Sequence, residues 1–381
     1  MDVTRTAFGA WNGGRFMNFG LPLPDEQWIS LVRRAFDRGI RTFLTADVYG
    51  SGAADSLLSS ALSGLPRSDY CLIGAVGHDF YKGRRLGPRG FPRFTDPSLR
   101  PARDYPDFLR MAAEKSLQRC RAEKFDLLLL HNPDSIGYSS DRVWEGMTRL
   151  VDANLTDRIG IAPGPANGFT LDLILCLERF GTLLDWAMII LNPLEPWPGQ
   201  LVLSAALKHE VNLITRVVDY GGLFHDDLKP GHLFSPQDHR SFRPPGWVEA
   251  GYEKISQFRF IAEKYNLTML QLACSWNLSQ PPVKSVVPTL IQENGASPKP
   301  IEAKLDELAS LPEVHLSRDD FDFITRIGDN RGCMSLKGAN PSHTTAPEAD
   351  RWPLSTDLLD VAKRWHIDPL RDLALTHAAA G

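Results

Sequence analysis

Paired cysteines, basic stripes and long apolar runs are all missing from this chain, and each gap closes off a class of protein. The five cysteines, Cys71, Cys120, Cys176, Cys274 and Cys333, are scattered and odd in number. No CxxC or Cys/His spacing links them, and four fall in apolar runs, where a thiol behaves as a small hydrophobe. A disulfide framework is therefore not expected, and the chain reads as belonging to a reducing compartment. Acidic and basic residues are mixed throughout, to a formal net charge of −4, so nucleic acid and anionic membrane are poor partners. No apolar stretch is long enough to span a bilayer, and the first residues lack a basic-then-apolar leader pattern. A soluble, cytoplasmic protein with a small-molecule substrate is expected; nothing in the sequence sets its oligomeric state. No GxGxxG follows any candidate strand, which weakens a doubly wound dinucleotide fold, and no repeat occurs at solenoid spacing.

What is present is alternation. The 381 residues are 43% hydrophobic, enough for one large core. Candidate strands run over Thr6 to Trp11, the stretch around Leu44, Tyr70 to Ala75, Phe125 to His131, Arg158 to Ala162, Trp186 to Leu191, Val211 to Arg216 and Val283 to Pro288. Helical patterns lie between them, among them Glu26 to Arg38, Ala53 to Leu62, Asp107 to Arg121, Leu171 to Arg179 and Gln257 to Lys264. The unbroken leucines of Leu127 to Leu130 suit a strand buried on both faces. Eight strands alternating with helices predict an α/β fold, a (β/α)8 TIM barrel over residues 1–328. Residues 329–381, rich in Pro, Ser and His before an amphipathic run from Asp357 to Arg364, form a C-terminal extension packed on the barrel. The Pro-, Gly- and Arg-rich segment from His78 to Tyr105 is long enough to be functional.

The stretch from Arg41 to Gly50 organises the rest. It is a short buried strand running into a loop that carries the phenol of Tyr49, and barrel chemistry sits at the carboxyl ends of the strands. A functional tyrosine is expected there, against the alternative of a core aromatic with a satisfied hydroxyl.

These residues resemble the aldo-keto reductase superfamily. Thr45-Ala46-Asp47-Val48-Tyr49-Gly50 with Gly52 is similar to its second-strand loop, and Asp126 to Asp134 to its fourth strand, which ends in a functional His. Arg158 to Ile161, Gly222-Leu223 and Gln271 to Trp276 resemble further family segments, so the likeness runs over roughly residues 6–328. It implies carbonyl reduction with NADPH by an Asp, Tyr, Lys and His tetrad: Tyr protonates the oxygen, Lys held by Asp lowers the phenol's pKa, and His orients the carbonyl.

The departures are as informative. The tetrad's Asp falls at Leu44 and its Lys at Ala75, leaving Tyr49 and His131 as the catalytic candidates. Ala162-Pro163 stand where Ser-Asn would hold the nicotinamide amide, Met188 replaces a Gln, and Arg216 replaces the stacking aromatic. Gly295 to Pro298 resemble a phosphate loop after an apparent insertion, and Lys304 aligns with an Asn of the adjoining helix. If NADP(H) binds, Gly222, Leu223 and Ser297 are its candidate contacts; the cofactor is otherwise undecided and none is a live alternative.

Arg216, ending a buried strand, either closes an internal ion pair with Asp219 or Glu195 or anchors an anionic or polyhydroxy substrate. Trp11, Asp47, His78, Asp79, Asn132 and Asp219 complete the substrate-binding candidates, although strand and turn geometry points Asp47 elsewhere. Trp197 and Phe224 are apolar wall or core. His78 and Asp79 could join His131 around zinc or manganese, but no local spacing supports it and no metal is expected. Lys82 or Lys337 could replace the lost ammonium from loops; solvation is the plainer reading. Asp238-His239-Arg240 resembles a stretch common in one branch of the family, with a loop-stabilising charge cluster as the alternative. Three functions follow. The favoured one is redox-neutral elimination, dehydration or isomerisation by Tyr49 and His131; then come a divergent NADP(H)-dependent reductase and a non-catalytic binding protein on the same barrel.

Overall fold

The computed structural model describes residues 1–86, 90–164, 169–295, 298–330 and 353–373. Eight strands, β1 (Ala7–Gly9), β2 (Thr42–Leu44), β3 (Cys71–Val76), β4 (Leu127–His131), β5 (Ile159–Ala162), β6 (Trp186–Ile190), β7 (Asn212–Arg216) and β8 (Val283–Val287), follow one another in a single sheet. Each pairs in parallel with the next, and a parallel bridge between Thr6 and Val286 joins the two edges. Helices α1 (Asp25–Asp37), α2 (Ala53–Leu62), α3 (Tyr105–Cys120), α4 (Ser135–Ser139), α5 (Asp141–Asp152), α6 (Thr170–Phe180), α7 (Gln200–Lys208), α8 (Trp247–Lys264), α9 (Met269–Leu278) and α10 (Ile301–Ala309) occupy the intervals. α11 (Arg318–Gly328), α12 (Thr356–Arg364) and α13 (Pro369–Asp372) follow the last strand. The architecture is a (β/α)8 barrel with a C-terminal extension.

The strands place their side chains alternately inward and outward, as a period of two requires. Phe8, Phe43, Leu72, Leu128, Leu130, Ile161, Ile189 and Val286 face the helices and join one large core. Leu44, Ile73, Ala75, Leu127, Leu129, Ala162, Met188 and Ile214 fill the barrel interior as a second, separate cluster. The amphipathic pattern of α5 shows how the outer layer closes: Val143, Trp144, Met147 and Leu150 are buried, while Arg142 and Arg149 pair with Glu145 on the wet face.

Two elements differ from the sequence pattern. Of the first candidate strand only Ala7–Gly9 forms β1, because the chain then turns through Asn12–Gly14 to meet the loop after β8. Asn12 Oδ1 accepts the Leu290 N–H at 3.0 Å, and the Gly13 N–H donates to the Leu290 carbonyl at 2.9 Å. α8 begins at Trp247, ten residues ahead of the periodic stretch read from the sequence, since its first turns pack through Trp247 and Val248.

The extension lies against the barrel wall. α12 packs on α6, where Glu178 accepts from Arg364 at 3.1 Å and from Trp365 Nε1 at 2.9 Å. Further along, the Asp372 carbonyl accepts from Trp197 Nε1 at 2.5 Å, tying α13 to the loop after β6.

Candidate active site

The inward rows decide what reaches the mouth. On β4 the row is Leu127, Leu129, His131; on β7 it is Ile214 then Arg216; on β3 it ends at Ala75. His131 pairs in register with Ala162, and Arg216 with Val287, so an imidazole and a guanidinium crown a hydrocarbon column. Tyr49 enters from the loop after β2. That loop turns back through Gly50, Ser51 and Gly52, at φ 58°, 53° and 98°, a region glycine tolerates and other residues rarely adopt. A Cβ on Gly52 would lie 2.6 Å from Arg119 Nε, so the tight return needs glycine there.

The Tyr49 ring stands edge-on to His131, with centroids 5.7 Å apart, and edge-on to Trp11 on its other side at 6.4 Å. His78 abuts the far side of His131 at 5.3 Å. Burial pushes the Tyr49 phenol up to about 12, opposed by the positive charge of Arg216. His131 is held down to about 3, first by burial and then by the charges of Arg93 and Arg216. Both groups are therefore neutral near pH 7. The His131 Nδ1 is buried without a hydrogen-bond partner.

Arg216 forms no ion pair with the carboxylates proposed for it. Its Nη2 donates to the carbonyls of Pro163 at 3.2 Å and Gly164 at 2.7 Å. Asp219 instead accepts the N–H groups of Thr289 at 2.7 Å and Gly222 at 2.8 Å, bracing the loops after β7 and β8. Glu195 lies against Asn192, and burial raises its carboxyl to about 7 with Arg243 opposing. The guanidinium therefore keeps its charge beside Tyr49, with no carboxylate at ion-pair distance among the described residues.

A family model, "Aldo/keto reductase family", matches residues 7–324. The chain belongs to the aldo/keto reductase family. A probable aldo-keto reductase from Glycine max is 30% identical over 161 residues, which are 42% of this chain and 42% of that protein. Among solved structures, the glycerol dehydrogenase of Gluconobacter oxydans superposes with a TM-score of 0.67 at 22% identity, covering 86% of this chain and 92% of that one. An aldo-keto reductase from Klebsiella pneumoniae, solved in complex with NADPH, gives 0.58 at 17% identity, covering 85% and 91%. At those identities the two structures share the fold.

The family therefore implies NADP(H), and the residues lining the corresponding groove here do not fit it in the family's manner. The Gly222 N–H is consumed by Asp219, and a Cβ on Gly222 would meet Glu293 Oε1 at 2.9 Å and Arg240 Nη1 at 3.2 Å. Arg240 is buried between Asp238 at 2.8 Å and Glu293 at 2.5 Å, two carboxylates to one cation where a diphosphate would need the reverse. Lys304, at the family's Asn position, is fully buried and spent on Asp227 at 2.7 Å and the Ile291 carbonyl at 2.6 Å. Ala162, Pro163 and Met188 offer the nicotinamide no side-chain hydrogen bond. Ser297 lies outside the described residues, as does Lys337.

The remaining candidates sort by what they touch. Trp11 walls the phenol. His78 Nε2 faces the Asn132 amide nitrogen at 3.2 Å, so both lie beside His131. Asp79, by contrast, is a loop clamp: Arg100 pairs with it, and its Oδ1 accepts the N–H groups of Tyr81 at 3.0 Å and Lys82 at 2.9 Å. Asp47 is completely buried away from Tyr49, near Tyr81, Asp55 and Arg119, with its carboxyl raised well above the usual range by burial. Lys82 is exposed. Phe224 stacks on Phe258 in the outer core, and Trp197 is tied to the extension. Among the described residues no three His, Cys, Asp or Glu are grouped to hold a metal ion, and no helix is long and apolar enough to cross a membrane.

Two residues near the centre are not among the candidates read from the sequence. Arg93, inside the Arg-rich segment, donates to the Asn132 carbonyl and approaches His78 Nδ1 at 3.1 Å. Tyr138, seven residues past His131, has its phenol close enough to feel in the Arg216 charge. Arg93 is one arginine among several in its segment, while the nearness of Tyr138 to the fourth-strand motif was the available clue.

Proposed function

We propose that this enzyme of the aldo/keto reductase family moves protons rather than hydride, on a small carbonyl or hydroxyl compound. The observation that carries the reading is Arg216. It stands where the family's nicotinamide-stacking residue would be, and its charge acts on Tyr49 while Leu44 and Ala75 leave that phenol without Asp or Lys. Negative charge developing on a substrate oxygen would be met by the Tyr49 hydroxyl and the Arg216 guanidinium, in a setting whose hydrocarbon floor keeps the field unscreened. His131 would take a proton from the carbon beside the carbonyl. The C–H pair becomes the C=C bond of an enol, and the carbonyl pair moves to oxygen, which Tyr49 protonates. Returning the protons at another carbon isomerises the substrate; losing a neighbouring hydroxyl eliminates water. No electron acceptor is needed.

The test is proton NMR in D2O with a panel of oxo and hydroxy compounds and no nucleotide. Enzyme-dependent loss of signals beside the carbonyl is expected. Saturable tryptophan quenching by micromolar NADPH, with turnover only in its presence, would establish the reductase instead.

A further inference from the structure

We infer that the substrate of this site carries a carboxylate beside its reacting carbonyl, seated on the Arg216 guanidinium between Tyr49 and His131. The inference rests on the proton-transfer reading above and names its substrate class. Several other cations of this barrel have their own carboxylate: Arg100 has Asp79, Arg119 has Asp55, Arg240 has Asp238 and Glu293, and Lys304 has Asp227, while Arg243 lies over the rings of Tyr220 and Trp247. Arg216 has two backbone carbonyls, which fix its plane without cancelling its charge. A half-buried cation left this way, above an apolar barrel interior, favours the arrival of a counter-ion. One cation suits a monoanion; a phosphate dianion would keep an unpaired charge above the column of Leu129, Ala162, Met188 and Ile214. The phenol and imidazole beside the guanidinium add donors of the kind that hold a planar carboxylate and its neighbouring carbonyl.

Charge also links binding to chemistry. Burial first, and then the charges of Arg93 and Arg216, hold down the proton affinity of His131. An anion seated on Arg216 offsets one of those charges, so an acidic substrate makes His131 a better base. A neutral analogue of the same shape leaves the imidazole as inert as before.

The experiment titrates the full-length protein with pyruvate and 2-oxobutyrate, and with pyruvamide, glucose and inorganic phosphate. The readout is the His131 ring Cε1–H signal, assigned by its loss in His131→Asn. At least one carboxylate is expected to shift that signal saturably and to raise the pH at which the ring titrates. Its affinity should fall at least tenfold in Arg216→Met and recover in part in Arg216→Lys, which also guards against a folding defect. Silence from every carboxylate, equal binding of pyruvamide and pyruvate, preference for phosphate, or unchanged affinity in Arg216→Met each overturns the inference. NADPH saturation would instead remove the proton-transfer reading, whatever the carboxylates do.

Discussion

The loops after β7 and β8 and the rim of the barrel interior are built from the same kinds of side chain and treat them in opposite ways. In the loops, Arg240 is locked between Asp238 and Glu293, and Lys304 is locked onto Asp227. At the rim, Arg216 lacks a carboxylate partner among the described residues, and the His131 Nδ1 lacks a hydrogen bond. The first arrangement pairs its charges internally. The second is unfinished, and polar groups left so in a low-dielectric interior mark where a ligand completes the structure.

Three substitutions bear on that contrast. The largest effect is expected from Tyr49→Phe, which should slow exchange in D2O by about 10²–10⁴-fold with little change in folding; a variant that exchanges normally would remove the phenol from the chemistry. Next is Arg240→Met. Stranding two buried carboxylates should lower unfolding free energy by about 3–5 kcal/mol in urea titrations while leaving exchange intact, whereas Arg216→Met, with no carboxylate to strand, should cost much less. A stability ranking in the other order would mean that the rim, not the loop network, is the braced region.

The smallest effect concerns pH. His131 binds its proton near pH 3 when folded and near 6.5 when unfolded. The unfolded chain therefore takes up protons first as pH falls, and the contribution of the neutral ring, complete above 6.5, drains away towards 3. By pH 5 it should be about 2 kcal/mol smaller. Comparing urea midpoints of the wild type and His131→Asn at pH 7.5 and 5 isolates this from the buried carboxylates Asp47 and Glu195, whose raised values act in the opposite direction.

Much of the fold was legible because burial writes itself into period. The continuous Leu127 to Leu130 run and the amphipathic 53–62 segment became β4 and α2. Tyr49 and His131 were legible through their motifs. Partner choice was not, since it depends on which loops meet: Asp219 and Glu195 were the carboxylates offered to Arg216 but turn towards Thr289 and Asn192. Asp79 looked available until Arg100, from the far end of its segment, closed on it. Arg93 is invisible in sequence because its role is to grip a backbone carbonyl, and carbonyls carry no residue identity.

Beneath the phenol, the column of Leu44, Ala75, Leu129, Ala162 and Met188 acts as a depth stop. A guest entering the barrel meets hydrocarbon as soon as it passes the tyrosine, so no polar tail can thread deeper. Reaction is thereby confined to the leading end of whatever enters, and the length of the molecule behind it is left to the outer loops to judge.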